Sequence, residues 1–300
     1  TRKFHGLLIA SLQPPIDRWV FVSNCFDQII NDGKETMVNP SRARQTFPLF
    51  PSLTYTTDDA VIQKTFFMHY LHNTSIIRYD VFPKHPLTIR HYPLLTSRHF
   101  YTVHSSPCKF DIAIDDQSDR IRFSPSNSDE KITMFKPDGF CYHPDYRWEY
   151  NNYEMDRLRN DASEDYLVNV GFLEKEIIDH STYFLIFTLE DEQIDPQRIY
   201  EQEIKRKKSL LDHTGLPSEV APLVLSSDQF LVKKATGSTI LAGYHWFSDW
   251  GRDTLIALPG LTLATNRYDQ ARTILEDLMD TCYQGIIPNT YDDKTGEAAY

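Results

Sequence analysis

The sequence predicts two successive folds in one chain: an antiparallel β-sandwich and then a region of paired α-helices. From residue 5 to about 190, short β-branched and aromatic runs alternate with turns rich in Pro, Asn and Asp, the pattern of antiparallel strands in two layers. Near Glu190 the composition turns charged and polar. From Ser218 onward the apolar residues recur at helical rather than strand spacing. A length of 300 residues suits two domains. The boundaries that follow are 1–190 for the β-sandwich, 191–216 for a linker helix and 217–300 for the helical domain.

The strands are justified in order. Leu7–Ala10 and Trp19–Val22 are apolar runs separated by Pro14-Pro15. Val61–Tyr70 and Thr74–Phe82 are β-branched and aromatic and meet at His72-Asn73, a hairpin signal. Pro83, Pro86 and Pro93 predict breaks around Leu87–Leu95. Phe110–Ile114 and Arg120–Phe123 flank the polar turn 115–119, a second hairpin. Lys131–Lys136, Tyr166–Ile178 and Thr182–Leu189 complete the set, while the charged, tyrosine-rich Trp148–Asp165 reads as a loop across an open face.

Gln197–Asp212 is a solvated helix stopped at Gly215. Its Lys205-Arg-Lys-Lys208 run is short and preceded by Glu201 and Glu203, which argues against a nucleic-acid patch. Next, Ser218 is the expected N-cap of a helix with Pro222 in its first turn and an apolar side of Val220, Leu223, Val224 and Leu231. Thr236-Gly-Ser238 interrupts, and Thr239–Leu241 is extended. Thr254–Ala264 is apolar almost all round and so is expected to be buried on all sides, with a kink at Pro259-Gly260. The following helix carries one apolar stripe, Tyr268, Ala271, Ile274, Leu275, Leu278, Met279 and Cys282, and ends at Gly285. An enclosed helix joined by a tight turn to a one-sided helix is the inner and outer pair of an α/α toroid.

Composition removes several functions. The formal charge of −11 argues against nucleic acid or an anionic membrane surface as partner. No run approaches membrane-spanning length. Cys25, Cys108, Cys141 and Cys282 are scattered, with no Cys-x-x-Cys and no His-Glu-x-x-His, so neither metal nor other cofactor is expected and a reducing, cytoplasmic location is. The chain starts at Thr1 without Met, shows no signal peptide, and runs to Tyr300 without a stop-like tail, which reads as an internal fragment.

The chemistry concentrates in Tyr244–Asp253, ten residues holding four aromatics, two aspartates, an arginine and a histidine. Two readings fit. Aromatic faces beside a fixed Arg and Asp suit sugars, whose C–H faces pack on indoles and whose hydroxyls take charge-assisted hydrogen bonds. Alternatively, the aromatics are core and Arg252–Asp253 is a structural ion pair. His245 reads as a packing residue and Asp249 as structural.

Taken together, the chain resembles the glycogen debranching enzymes of the amylo-α-1,6-glucosidase type, in their bacterial and archaeal form. Four blocks carry the resemblance: Thr1–Ala10, Pro93–Arg98, Ala242–Thr254 and Gly285–Asn289. It implies an N-terminal β-sandwich followed by the first helices of an (α/α)6 barrel, the catalytic domain, of which 217–300 would be the beginning. Trp250-Gly-Arg-Asp253 is also similar to the Trp-x-Arg-Asp element of glucoamylases. Carried over, Arg252 and Asp253 would hold hydroxyls of the terminal glucose, Trp246 and Trp250 would wall the pocket, and Asn289 would line it. A guanidinium and a carboxylate at a helix start make a rigid fork for vicinal hydroxyls, and the helix N-terminus favours an ionised Asp253. His245 stands where the family commonly has proline, which leaves the fork untouched.

The resemblance also implies an inverting hydrolysis, with acid and base roughly 6.5–9.5 Å apart and both beyond Tyr300. No catalytic carboxylate is therefore assigned within the chain, which alone is expected to be inactive. Asp292, Asp293 and Glu297 read as a solvated turn around Gly296. The implied substrate and partner is glycogen or another branched α-glucan. Two alternatives stay open: a glucoamylase-like α-glucosidase of other linkage preference, and a non-catalytic carbohydrate-binding fragment.

Overall fold

The computed structural model describes residues 2–115, 119–234, 237–244, 246–292 and 295–300. His245, Asp293 and Thr236, all considered above, lie outside the described residues. Two compact units result, one of Thr1–Ala10 and Trp19–Tyr200, the other of Ser11–Arg18 and Glu201–Tyr300.

The first part of the chain is built from β1 (Leu8–Gln13), β2 (Ile16–Asn31), β3 (Lys34–Met37), β4 (Arg44–Thr46), β5 (Ser52–Thr56), β6 (Ala60–Met68) and β7 (Thr74–Pro83). There follow β8 (Leu87–His99), β9 (Phe110–Asp115), β10 (Arg120–Pro125), β11 (Ile132–Phe135), β12 (Cys141–Asn152), β13 (Glu164–Ile177) and β14 (Ser181–Thr188). One antiparallel sheet runs β1-β2-β8-β13-β12, with β3 paired to β2; the other runs β4-β5-β6-β7-β14-β11-β10-β9. The hairpins expected at His72-Asn73 and across 115–119 are present as β6–β7 and β9–β10. Alternating burial along the first half of β6 gives that strand an inner and an outer face.

The inner faces of the two sheets meet through a buried polar cluster. Asp27 on β2 takes the Lys64 ammonium of β6 on Oδ2 at 2.8 Å. Its Oδ1 accepts the Tyr79 hydroxyl of β7 at 2.9 Å and lies 2.7 Å from His91 Nδ1 of β8. His91 Nε2 in turn lies 2.9 Å from the Tyr183 hydroxyl of β14. Ile62, Ile76, Ile89 and Phe187 are among the fully buried residues of this unit.

Two of the sequence blocks converge in the same unit. Arg98, 2% exposed, donates to Asp165 Oδ2 at 2.9 Å and to the Lys3 carbonyl at 2.7 Å. Arg2 and the Lys3 N–H both bond the buried Asp156. The Thr1–Ala10 and Pro93–Arg98 blocks thus share one buried ion network, where each charge is paired and hydrogen-bonded, the condition for burying it.

Two expectations are corrected here. Pro83 ends β7 and Pro86 lies in the turn before β8, but Pro93 does not break the chain: β8 runs through it without interruption. The ladder to β13 shifts register between Asn169 and Leu173, opposite Tyr92 and Pro93, so a missing N–H falls at a bulge. Gly171 sits in that bulge at φ +121°, where a Cβ would collide with the His143 carbonyl. Nor is Trp148–Asp165 a loop. Its first residues complete β12, an exposed edge strand, a short helix α1 (Glu154–Leu158) follows, and β13 begins at Glu164. Charge and exposed rings along β12 mark a solvated edge.

Helix α2 (Pro196–Thr214) ends at Gly215, at φ +61°, as its sequence indicates. Beyond it come α3 (Ala221–Phe230), β15 (Leu231–Lys234), β16 (Gly237–Gly243), β17 (Phe247–Asp249), α4 (Gly251–Leu261), α5 (Tyr268–Asp280) and the short β18 (Thr290–Tyr291) and β19 (Ala298–Ala299). Ser218 caps neither α3 nor the 3-10 turn before it, and Leu231 belongs to a strand. The sheet β15-β16-β17 was not visible in the helical spacing.

Helices α4 and α5 bury Leu258, Ala271, Ile274 and Leu278 against Leu231 and Ile240 of that sheet. Burial of α4 on all sides is contradicted, because Ile256 is 75% exposed and Leu255 38%. Thr254 and Leu258 occupy one side, while Arg252 and Ile256, at i and i+4, fall on the other. Of the α5 stripe, Ala271, Ile274 and Leu278 are buried, and Tyr268, Leu275 and Met279 are exposed.

Candidate functional site

The Tyr244–Asp253 stretch runs from a turn through a strand into a helix start. The backbone N–H of Trp246 donates to the Gly243 carbonyl at 3.3 Å, between β16 and β17. The Arg18 guanidinium donates to the carbonyls of Tyr244 at 3.0 Å and Phe247 at 3.1 Å and fixes the turn further. Trp250, in extended conformation, is the N-cap of α4, and Gly251, Arg252 and Asp253 form its first turn. Gly251 is needed for close approach. Its N–H donates to the Asn289 carbonyl at 3.0 Å, and a Cβ there would overlap the Pro288 carbonyl oxygen. The Ala242–Thr254 and Gly285–Asn289 blocks therefore meet backbone to backbone at the helix start.

The five residues singled out in the sequence are distributed as follows. Trp250, Arg252 and Asp253 share the N-terminus of α4, and Asn289 joins them through its carbonyl while its side chain is exposed. Trp250 packs edge-on to Phe247 at 5.1 Å. Trp246, 37% exposed, belongs to the preceding turn. The Arg252 side chain is 67% exposed, and its Nε stands 3.8 Å from Asp253 Oδ2, beyond hydrogen-bonding distance. Asp253 Oδ2 is itself shielded from solvent and has no hydrogen-bond partner among the described residues. An exposed pair at that distance contributes little stability. Its guanidinium is open to solvent at the helix start. Asp292 forms a turn with Thr295 and Gly296, and Glu297 is exposed, the solvated turn expected there.

A second polar cluster in this unit was missed in the sequence. Asp249, 3% exposed, accepts the Thr239 hydroxyl on Oδ2 at 3.3 Å and lies 3.6 Å from the Lys234 ammonium. Lys234 donates to Asp277 at 2.7 Å and sits 4.8 Å from the centre of the Tyr291 ring. Burial pushes the Asp249 carboxyl above its ordinary value, and the Lys234 charge offsets this only in part. For Lys234, burial opposes its charge, but the Asp277 hydrogen bond and the Asp249 charge raise its pKa overall. Asp249, Lys234 and Tyr291 line a cavity of about 620 Å³ together with Pro14, Pro15 and Ile16. None of the five residues singled out earlier lines it. Only Asp249 carried a signal, its place in the aromatic motif; Lys234 and Asp277 are 43 positions apart and brought together by folding.

Among solved structures, all of this chain aligns with 51% of a bacterial glucoamylase complexed with acarbose, at TM-score 0.57 and 13% identity. At that identity the likeness is one of fold. A structure provisionally named a kojibiose phosphorylase, from the human microbiome, aligns with 74% of the chain and 31% of its own, at 10% identity and TM-score 0.29. The sequence is more specific. Residues 1–182 match the family described as glycogen debranching enzyme N terminal, and residues 225–300 match amylo-alpha-1,6-glucosidase. The chain belongs to the glycogen debranching enzyme family, and it spans about half of the glucoamylase chain it aligns with.

Proposed function

We propose that the full protein hydrolyses α-1,6-glucosidic branch points of glycogen or limit dextrin and releases glucose with inversion. The observation that carries this reading is the match of both parts of the chain to debranching-enzyme families, the second of them amylo-alpha-1,6-glucosidase. In this reading the β-rich part is an N-terminal sandwich, the helices α4 and α5 open an (α/α)6 barrel, and the enzyme works in the cytoplasm. The terminal glucose sits at the start of α4. Arg252 donates to adjacent hydroxyls, Asp253 accepts from one, Trp250 and Trp246 face the ring, and Asn289 closes the edge. The general acid and the base that activates water come from residues after Tyr300, so the chain 1–300 alone releases no glucose.

The Arg252 guanidinium at the start of α4 supports this reading, since a solvent-facing guanidinium can donate to sugar hydroxyls. Arg252→Ala in the full-length protein is expected to lower glucose release from limit dextrin at least 100-fold, about 2.7 kcal/mol of transition-state stabilisation, with unchanged circular dichroism. Near-normal turnover would remove the fork from the site. Comparing isomaltosyl with maltosyl substrates separates the α-1,6 reading from a glucoamylase-like preference, which the fold likeness keeps as the alternative.

A further inference from the structure

We infer that the exposed aromatic row on β12, Tyr146, Trp148 and Tyr150, is a surface that holds a stretch of uncharged polysaccharide, an α-glucan, by stacking of its sugar rings. β12 is the last strand of its sheet, paired to β13. No residue of β12 is buried, whereas residues 167–171 of β13 all are. Trp148 is 53% exposed, the most of the four tryptophans, with Tyr150 at 55% and Tyr146 at 39%. Alternate positions of an extended strand lie roughly 6.5 Å apart. The Tyr146 and Trp148 rings meet edge to face at 6.3 Å, and Tyr150 meets Tyr166, directly across the ladder, at 5.7 Å. The Tyr146 hydroxyl accepts the Phe110 N–H at 3.1 Å and donates to the Cys108 carbonyl at 3.3 Å. The Tyr150 hydroxyl bonds Glu164 and Asn152. The tyrosines are thereby pinned, and what the row offers a ligand is ring surface rather than hydroxyls.

The surroundings of the rings select the ligand. A protein strand added to this edge would need an unbroken line of backbone groups. β12 instead has Pro144, a register shift between Pro144 and Arg147, and the charges of Asp145, Arg147 and Glu149. Single-stranded nucleic acid also stacks on aromatic rows, but it needs a basic groove. Here Arg147 is paired with Asp145 at 2.9 Å, the acidic neighbours outnumber the basic one, and the chain carries −11. A neutral ligand with flat C–H faces meets neither objection, and a pyranose is such a ligand. A row, rather than one ring, calls for successive sugars of a chain. The saccharide class stands on the rings and charges of β12; that the saccharide is an α-glucan rests on the function proposed above. Each stacking contact is modest, but a branched polymer presents many chains at once, and weak contacts made together give firm retention.

Affinity electrophoresis of the full-length protein through gels containing glycogen tests the surface, with hydroxyethyl cellulose as the β-linked control and heparin as the polyanion. The parent is expected to be retarded by glycogen and by neither control. Trp148→Ala with Tyr150→Ala should weaken retention by glycogen roughly tenfold, as two aromatic contacts are lost, with the melting temperature and glucose release from a short branched oligosaccharide unchanged. Trp148→Phe, which keeps a ring, should preserve most of the retention. Equal retardation of parent and double variant by glycogen, retardation by heparin that depends on the same rings, stronger retardation by the β-linked glucan, or a matching loss of activity on the short substrate would each overturn the inference. Should the double variant fail to fold, a wild-type crystal soaked in maltoheptaose decides. A glucosyl ring lying on the Trp148 indole supports the surface, and sugar found only elsewhere, or none, refutes it. If the full-length protein releases no glucose from limit dextrin while its retention by glycogen depends on Trp148, the proposed function falls and this surface stands; glucose release with retention independent of the rings gives the reverse.

Discussion

Asp27 contributes to the acid stability of the β-rich unit. Burial works to raise the Asp27 pKa, but the Lys64 ammonium and the His91 hydrogen bond outweigh it and hold the group at about 2. A folded value below the unfolded one means that this contribution is complete above pH ~4 and is lost as pH falls through about 2. The shift corresponds to about 2 kcal/mol. Lys64 has the opposite sign. Burial works to lower its pKa, yet the charges of Asp27 and Cys25 raise it overall, so its contribution is lost as pH rises through the folded value. Urea unfolding midpoints measured from pH 2 to 7 should fall on the acid side, and Asp27→Asn should flatten that fall while costing roughly 3–5 kcal/mol at pH 7, because Lys64 is left buried and unpaired. The paired change Asp27→Leu with Lys64→Met should recover most of the loss. An acid limb of unchanged steepness in Asp27→Asn would assign the pH dependence to other carboxylates.

At the scale of elements, the start of α4 depends on one backbone contact. Gly251→Ala would gain helix propensity of up to ~1 kcal/mol, but its Cβ would overlap the Pro288 carbonyl, and relieving such overlap costs about 1–3 kcal/mol. Gly260→Ala lies in the same helix with nothing within 4 Å of the new Cβ, so it should stabilise by ~0.5–1 kcal/mol. Thermal melts of the two variants should therefore move in opposite directions; a raised melting temperature for Gly251→Ala would mean that the Ile286–Asn289 segment yields easily. This contact also shows what local sequence can and cannot convey. The hairpins, α2 and its stop at Gly215 were legible because each is set by neighbours in the chain. The passage of β8 through Pro93 was not, since it depends on a bulge in β13 some 80 positions away. The residues Trp250, Arg252 and Asp253 stood out by composition, and their union with Asn289 is a backbone bond between two blocks that no spacing announces. Lys234 and Asp277 carry no local mark at all, so the cavity beside Asp249 became visible only in the folded chain.

For the whole molecule, two properties act against each other in solution. The net charge of −11 at pH 7 keeps chains apart. Against this, the second unit leaves Ile256 75%, Met279 71%, Tyr268 60% and Leu263 42% exposed on α4, α5 and the turn between them, large apolar groups open to another chain. No described helix is long and apolar enough to cross a membrane, so these groups are not part of a helical span. The chain Thr1–Tyr300 made on its own should therefore associate with rising concentration, and more strongly as pH is lowered toward the isoelectric point near 5.4, where carboxylates take up protons and repulsion vanishes. Sedimentation velocity at pH 8.0 and at a pH close to the isoelectric point reads both effects. Ile256→Ser with Met279→Ser leaves the net charge unchanged and should reduce association at both pH values, which isolates the apolar contribution from the electrostatic one. If the double variant associates as strongly as the parent, the exposed faces of α4 and α5 are not what draws the chains together, and the pH dependence alone would point to charge.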